Sequence, residues 1–199
     1  ADLGTVMGNV YHTKEEMIDC VNAFYEGMVQ RSEQMKRHPN YKTGENYAYL
    51  GLPPCFLIFD EYVAFFEMLG TKESVGLLSQ LKKIVMLGRQ AGYFLIVACQ
   101  RPDAKYFSDG IRDNFNFRVG LGRISELGYG MLFGSDVKKQ FFQKRIKGRG
   151  YCDVGTSVIS EFYTPLVPKG HDFLQTIGSL AQARQDGTAT CEAKGDGTD

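Results

Sequence analysis

Phe56, Leu57, Ile58 and Phe59 form an unbroken apolar run, and two carboxylates, Asp60 and Glu61, follow it at once. Four consecutive apolar residues read as a strand buried on both faces, the pattern of a parallel sheet. The carboxyl end of such a strand is where open α/β sheets place their ligands. An aspartate there can hold Mg²⁺ directly or through water, and a glutamate one residue on can polarise an attacking water. The combination describes a Walker B strand of a nucleotide hydrolase; the bland alternative is a buried strand running into a solvated turn. A second apolar run, from Phe94 to Cys99, ends on Gln100 in the same way, with Arg101 and Pro102 after it. Two strands that deliver polar side chains to one edge favour the chemical reading.

A further candidate is local and electrostatic. Lys138, Lys139, Lys144, Arg145, Lys147 and Arg149 stand close together with no acid among them, and Phe141 and Phe142 are interleaved. Such a stretch can track phosphates by counterion release while the rings stack or pack. Equally, Phe141, Phe142 and Ile146 can be core residues beneath a solvated charged face. His12, His38 and His171 are too far apart in sequence to suggest a metal site.

Helices and strands must position these groups. Thr13 with Glu16 makes a capping box. Met17, Val21, Phe24, Met28 and their neighbours then recur at helical spacing, which predicts a long amphipathic helix to about Arg37. Residues 39–54, rich in Asn, Gly, Tyr and Pro, read as a surface loop. Leu77, Leu78, Leu81, Ile84, Val85 and Leu87 predict a second helix over residues 74–89, with Gly92 as its stop. Strand, helix, strand in that order is a βαβ unit, which implies parallel pairing of the Asp60 and Gln100 strands. Farther on, residues 103–114 read as a polar, partly helical segment and 117–122 as a third strand. Residues 135–143 read as a short helix, and 150–154 with 158–163 as a hairpin about a Gly-Thr turn. Apolar content collapses after Leu180, so residues 1–180 are expected to be the ordered domain and 181–199 a disordered tail.

Composition narrows the classes. The 199 residues carry 23 basic and 23 acidic side chains, so the chain as a whole is no nucleic-acid magnet and any basic patch is local. Its apolar and charged content suits a globular domain with a sizeable core. No apolar run approaches a membrane span, and nothing at the start resembles a signal peptide. Cys20, Cys55, Cys99, Cys152 and Cys191 lack metal-ligand spacing. Cys55 and Cys99, in or beside strands, read as buried thiols of a reducing cytoplasm.

Taken together, these motifs resemble the motor domain of the FtsK/SpoIIIE family of DNA-pumping ATPases. The likeness rests on residues 57–61, 88–92, 95–102, 110–114 and 117–119, spans roughly residues 2–167, and is closest in style to coupling proteins of Gram-positive conjugative transposons. It implies an α/β, RecA-like P-loop NTPase fold, here a partial, mostly parallel sheet with flanking helices. It also implies ATP and Mg²⁺ as cofactors of the intact protein. Asp60 would hold Mg²⁺, Glu61 would orient or deprotonate the hydrolytic water, and Gln100 would sense the γ-phosphate. Arg112 or Arg118 would reach a nucleotide across a subunit interface, where a cation stabilises transition-state charge. A local ion pair is the plainer use of Arg112, which adjoins Asp113. By the same resemblance the intact protein is a homo-hexamer that pumps double- or single-stranded DNA and meets a relaxase or transfer-channel proteins. It would work in the bacterial cytoplasm, at the inner face of the membrane.

Two departures qualify that expectation. No Gly-x-x-x-x-Gly-Lys-Ser/Thr occurs in the chain, and that loop supplies most of the phosphate binding in such enzymes. The phosphate-loop strand is therefore missing from this chain, which reads as the C-terminal half of a motor domain, inactive by itself. Residues 125–130 stand where many relatives carry an Asp-Ser-Arg run, so a family arginine contact lacks its counterpart. With the central strand missing, the Arg118 strand is expected either to pair directly with the Gln100 strand or to borrow a strand from another chain. A second class of reading is a non-catalytic interaction module that recruits relaxase or channel components. A third is a metal-dependent hydrolase, disfavoured because adjacent acids on a strand point to opposite faces.

Overall fold

The computed structural model describes residues 2–101, 105–107, 109–135, 137, 139–142, 146–156 and 158–185. The chain divides into two compact units, residues 14–165 and a smaller one built from residues 1–13 and 166–199. The larger unit begins with α1 (Lys14–Arg37), directly after Thr13. Glu15 and Glu16 sit in its first turn and Lys36 and Arg37 in its last, each sign opposing the helix dipole. Val21, Met28 and Met35, two turns apart, are its buried residues and mark the face turned to the core.

The strand β1 (Cys55–Phe59) leads through a short helix, α2 (Tyr62–Glu67), and a long one, α3 (Thr71–Ala91), into β2 (Tyr93–Val97). Gly92 takes a left-handed φ of 77° and donates its N–H back to Gly88 and Arg89 carbonyls, so α3 turns into β2 without a loop. β1 and β2 pair in parallel from Cys55↔Tyr93 to Phe59↔Val97, as the strand-helix-strand order requires. Leu57 and Phe59 pack with Leu77, Leu81 and Ile84 of α3 and Val21 and Met28 of α1 in one core.

Burial on both faces, expected for β1, does not occur. Leu57 and Phe59 are buried, whereas Phe56 is 54% and Ile58 66% exposed. Their register partners Phe94 and Ile96 share that open face, with Ile96 47% exposed. The core that contains α1 and α3 lies on the Leu57 and Phe59 side, and no described element buries the other, so the strand shows the alternation of a one-sided sheet.

The second half of the unit has its own sheet. After α4 (Asp109–Arg112), β3 (Arg118–Leu121) is followed by α5 (Glu126–Phe133), β4 (Arg149–Asp153) and β5 (Ile159–Tyr163). β3, β4 and β5 form an antiparallel sheet in that order, and β4–β5 is the expected hairpin. Parallel pairing is thus confined to β1 and β2. β3 does not pair with β2: it is the edge strand of the second sheet and its ladder runs to β4. The short helix also lies earlier than residues 135–143. It is α5, started by Ser125, whose Oγ accepts the Gly128 N–H at 3.1 Å, and anchored by buried Tyr129 and Phe133. In the smaller unit a 3₁₀ turn (Asp2–Thr5) precedes α6 (Phe173–Gln185). Asp172 accepts the Gln175 N–H at 2.9 Å ahead of that helix, which runs past Leu180, where order was expected to end. Residues 186–199, the rest of the expected tail, lie outside the described residues.

Candidate functional site

Parallel pairing brings the carboxyl ends of β1 and β2 level. Beyond the last register pair, the Ala98 N–H donates to the Phe59 carbonyl at 2.8 Å and the Tyr62 N–H donates to the Ala98 carbonyl at 2.9 Å. Asp60 and Glu61 fill the interval between that ladder and α2. Glu61 stands at the start of α2 without capping its amides by its side chain. Its carboxylate reaches instead across to the other strand, where Oε2 accepts the Gln100 backbone N–H at 3.0 Å. The three residues singled out for chemistry at the two strand ends are therefore brought together. At an exposed position that bond contributes about 1 kcal/mol, enough to bias the loops but not to lock them.

Asp60 is exposed, and its carboxylate has no partner among the described residues. Mg²⁺ keeps several waters and usually takes one or two carboxylates plus substrate phosphates, so a lone free carboxylate fits that ion. Among the described residues no three His, Cys, Asp or Glu side chains gather as a metal cage. Any ion here takes the rest of its shell from water or ligand. Cys99, half-buried between the two loops, has its thiol pushed up by burial and then by the Glu61 charge. Burial, with a smaller contribution from Cys99, pushes the Tyr62 phenol up as well.

Beneath the site lies an aromatic block that sequence reasoning missed. Tyr62 and Phe66 of α2 meet Tyr106 and Phe107, with ring centroids 4.7 Å apart for Tyr62–Phe107 and 5.2 Å for Phe66–Tyr106. Its signals in the chain were Tyr62, Phe65 and Phe66 just after Glu61 and the adjacent Tyr106 and Phe107 six and seven residues after Gln100.

The remaining candidates are occupied elsewhere or lie apart. Arg112 pairs locally with Asp113 (3.1 Å). Arg118 donates to Asp153 Oδ2 at 2.7 Å and to the Leu132 carbonyl at 3.2 Å, and Asp153 is 4% exposed. That part-buried pair ties β3 to β4 at the register point Arg118↔Asp153. Of the basic stretch, Lys138, Lys144 and Arg145 lie outside the described residues. Lys139 Nζ bonds the Ile159 carbonyl and lies 5.3 Å over the Tyr151 ring, while Arg149 stacks 4.5 Å over Tyr163. Lys147 is exposed. Phe141, partly buried, packs against the core of the β3–β5 half, whereas Phe142 is 68% and Ile146 53% exposed, so only one of the three expected core residues packs there. A cavity of about 460 Å³ beside α5, lined by Tyr129, Lys139, Phe141 and Phe142, includes none of Asp60, Glu61 or Gln100. No helix among the described residues is long and apolar enough to cross a membrane.

No protein-family model matches the chain. Among curated proteins it is 52% identical over 200 residues to the Ftsk domain-containing protein YdcQ of Bacillus subtilis, with all of this chain and 42% of that protein aligned. The chain thus spans less than half the length of this relative. Among solved structures it is similar to the cytoplasmic domain of the type VII secretion ATPase EccC of Thermomonospora curvata, with a TM-score of 0.60 and 18% identity over 86% of this chain and 21% of that one. The pCW3 conjugation coupling protein TcpA, in a monomer form with ATPγS, gives a TM-score of 0.60 and 18% identity over 82% of this chain and 49% of its own. EssC (ATPases 2 and 3) of Geobacillus thermodenitrificans gives 0.56 and 15% over 88% and 32%. At these identities the likeness is one of fold: the chain is a mixed α/β module with the architecture of RecA-like P-loop ATPase domains.

Proposed function

We propose, from the premise that this chain belongs to the FtsK-domain family, that it is the water-activating and phosphate-sensing part of an ATP-driven DNA translocase of the coupling-protein kind. One observation carries the reading: the Glu61 carboxylate is tied to the Gln100 N–H beside a free Asp60, at the ends of two paired parallel strands. Asp60 would hold Mg²⁺, which when bound neutralises phosphate charge. Glu61, whose Oε2 is turned toward the Gln100 loop, holds and polarises the attacking water. The Gln100 side chain, exposed and without a partner among the described residues, hydrogen-bonds the terminal phosphate. Arg112 is the candidate that reaches a neighbouring subunit's nucleotide. Arg118, committed to Asp153, acts as a strut of the β3–β4 pair.

The phosphate cradle is not encoded in these 199 residues, so the catalytic unit draws it from residues outside them. ATP with Mg²⁺, a homo-hexameric ring, DNA as the moved substrate, and a place in the bacterial cytoplasm at the inner face of the membrane complete the proposal for the intact protein. Of the basic stretch, exposed Lys147 would face DNA phosphates, and a role there for Lys138, Lys144 and Arg145 rests on the sequence alone. A second reading, a non-catalytic module that recruits relaxase or channel components, is favoured by the exposed apolar face of Phe56, Ile58 and Ile96.

Glu61→Gln in the intact protein separates the two readings. The amide oxygen still accepts the Gln100 N–H, so nucleotide binding should persist while turnover is lost. Hydrolysis at the parent rate removes Glu61 from the mechanism and leaves the interaction module standing.

A further inference from the structure

The Glu61–Gln100 contact is exposed, yet the geometry it sets is the core of the site. Something less open to water must hold the two loops in place. The backbone supplies one tie, Tyr62 N–H to the Ala98 carbonyl. The side chains supply another. Tyr62 and Phe66, each 1% exposed, follow Glu61 directly, and they receive Tyr106, 4% exposed, and the half-buried Phe107 from the segment after Gln100. The Tyr62 hydroxyl also donates to the Tyr106 carbonyl at 3.4 Å, and Lys105 Nζ donates to the Tyr106 hydroxyl at 3.0 Å. Each strand's exit loop thus carries its polar group at the surface and an aromatic pair underneath, and the pairs interlock.

We propose that Tyr106 and Phe107 are positioning residues for hydrolysis: by packing on Tyr62 and Phe66 they hold the Gln100 loop against the Glu61 carboxylate. This rests on the reading that Glu61 and Gln100 act on water and phosphate. Neither ring touches those groups, so their effect is on placement. A displacement of a catalytic group by about 1 Å can lower a rate a hundredfold while leaving ligand affinity almost intact. A simple core role predicts something else, a loss of folded protein that lowers binding and turnover in proportion.

The test uses the intact, nucleotide-binding protein, with ATPase kinetics and equilibrium binding of a fluorescent ATP analogue. Phe107→Ala should lower kcat about tenfold or more, with KM and analogue affinity changed less than about twofold. Phe107→Tyr, which keeps the ring, should restore the parent kcat. Glu61→Gln is measured alongside. If it turns over at the parent rate, the assignment of the site fails, whatever Phe107 does. If it is inactive and Phe107→Ala keeps the parent kcat, the positioning role is overturned, and an equal fall in kcat and binding capacity overturns it too. Should Phe107→Ala fail to fold, Phe107→Leu keeps the volume without the ring. A reduced kcat at parent affinity supports the role, and a parent kcat refutes it.

Discussion

The same substitution at two glycines of α3 should change stability with opposite signs. Gly76 and Gly88 both lie inside Thr71–Ala91, and alanine improves intrinsic helix propensity by about 1 kcal/mol at either. At Gly76 an added Cβ meets nothing within 4 Å, so Gly76→Ala should stabilise by about 0.5–1 kcal/mol. At Gly88 it would stand 2.3 Å from the Tyr93 carbonyl oxygen, where real Cβ atoms stay beyond 3.0 Å, so helix and strand must part by at least 0.7 Å. Neither side can give readily. The Tyr93 backbone is held in register with Cys55, and the turn between helix and strand is pinned by the Gly92 carbonyl accepting the Cys55 N–H at 2.7 Å. Forced overpacking of this kind costs about 1–3 kcal/mol, and backbone contact on both sides puts Gly88→Ala near the upper end. Net of propensity, a loss of about 2 kcal/mol follows, roughly 3 kcal/mol below Gly76→Ala. Urea denaturation followed by circular dichroism resolves that difference; in thermal melts it amounts to about 6–12 °C for a chain of this size. A Gly88→Ala protein as stable as Gly76→Ala would refute the close approach of α3 to β2.

Asp153→Ala should cost about 2–4 kcal/mol in the same assay, because it leaves the part-buried Arg118 guanidinium without its counter-charge and also removes the acceptor of the Gly155 N–H. A loss below about 1 kcal/mol would mean that Arg118 is free for other work. Cys99 has its thiol raised by burial first and by the Glu61 charge second, so at pH 8 it carries less thiolate than an ordinary cysteine and should alkylate slowly. Glu61→Gln removes the second cause, lowers that pKa and should quicken iodoacetamide labelling of Cys99, read by peptide mass spectrometry; an unchanged rate separates the two side chains. The 199-residue chain, with no phosphate loop, should bind a non-hydrolysable ATP analogue with Mg²⁺ very weakly in calorimetric titration, and micromolar binding would overturn the division of labour proposed for it.

Features set by neighbours in sequence were legible, and those set by distant neighbours were not. The stripe of Val21, Met28 and Met35 needs only helical spacing, and Gly92 only a φ that L-residues avoid. The parallel pairing of β1 and β2 follows from a helix between two strands, so the sequence alone puts Asp60, Glu61 and Gln100 at one edge. α5 was misplaced because Gly128 and Gly130 dilute its pattern. What holds it is Ser125 at one end and the burial of Tyr129 and Phe133 against Phe141 and Tyr151. Six-residue α2 is too short for any period to show. The use of Arg118 depended on Asp153, 35 residues on, and the use of Lys139 on a carbonyl of β5. Burial of β1 on both faces was inferred from Phe56 and Ile58 being apolar. Apolarity shows what a face prefers to meet and not whether this chain supplies it.

That open face bears on how the two halves of the chemistry divide. Phe56, Ile58 and Ile96 expose about half or more of their surface, and Phe94 stacks on Phe56 at 5.4 Å, so the face is a continuous apolar strip across both strands. Covering a large apolar side chain fully is worth about 1.5–3 kcal/mol, so a partner that seats on this strip gains several kcal/mol without touching the Asp60 edge. The exposed tie between Glu61 and Gln100 at the strand ends and the buried aromatic block below it are both made wholly from this chain. On the proposed function, the geometry for water activation would be preformed here, before any phosphate cradle is added, and nucleotide affinity would wait on what lies beyond these residues. An enzyme divided in that way can bind nucleotide or lose it through one part while the geometry of hydrolysis stays fixed in the other. This is why Glu61→Gln and Phe107→Ala should act on kcat and leave affinity nearly alone.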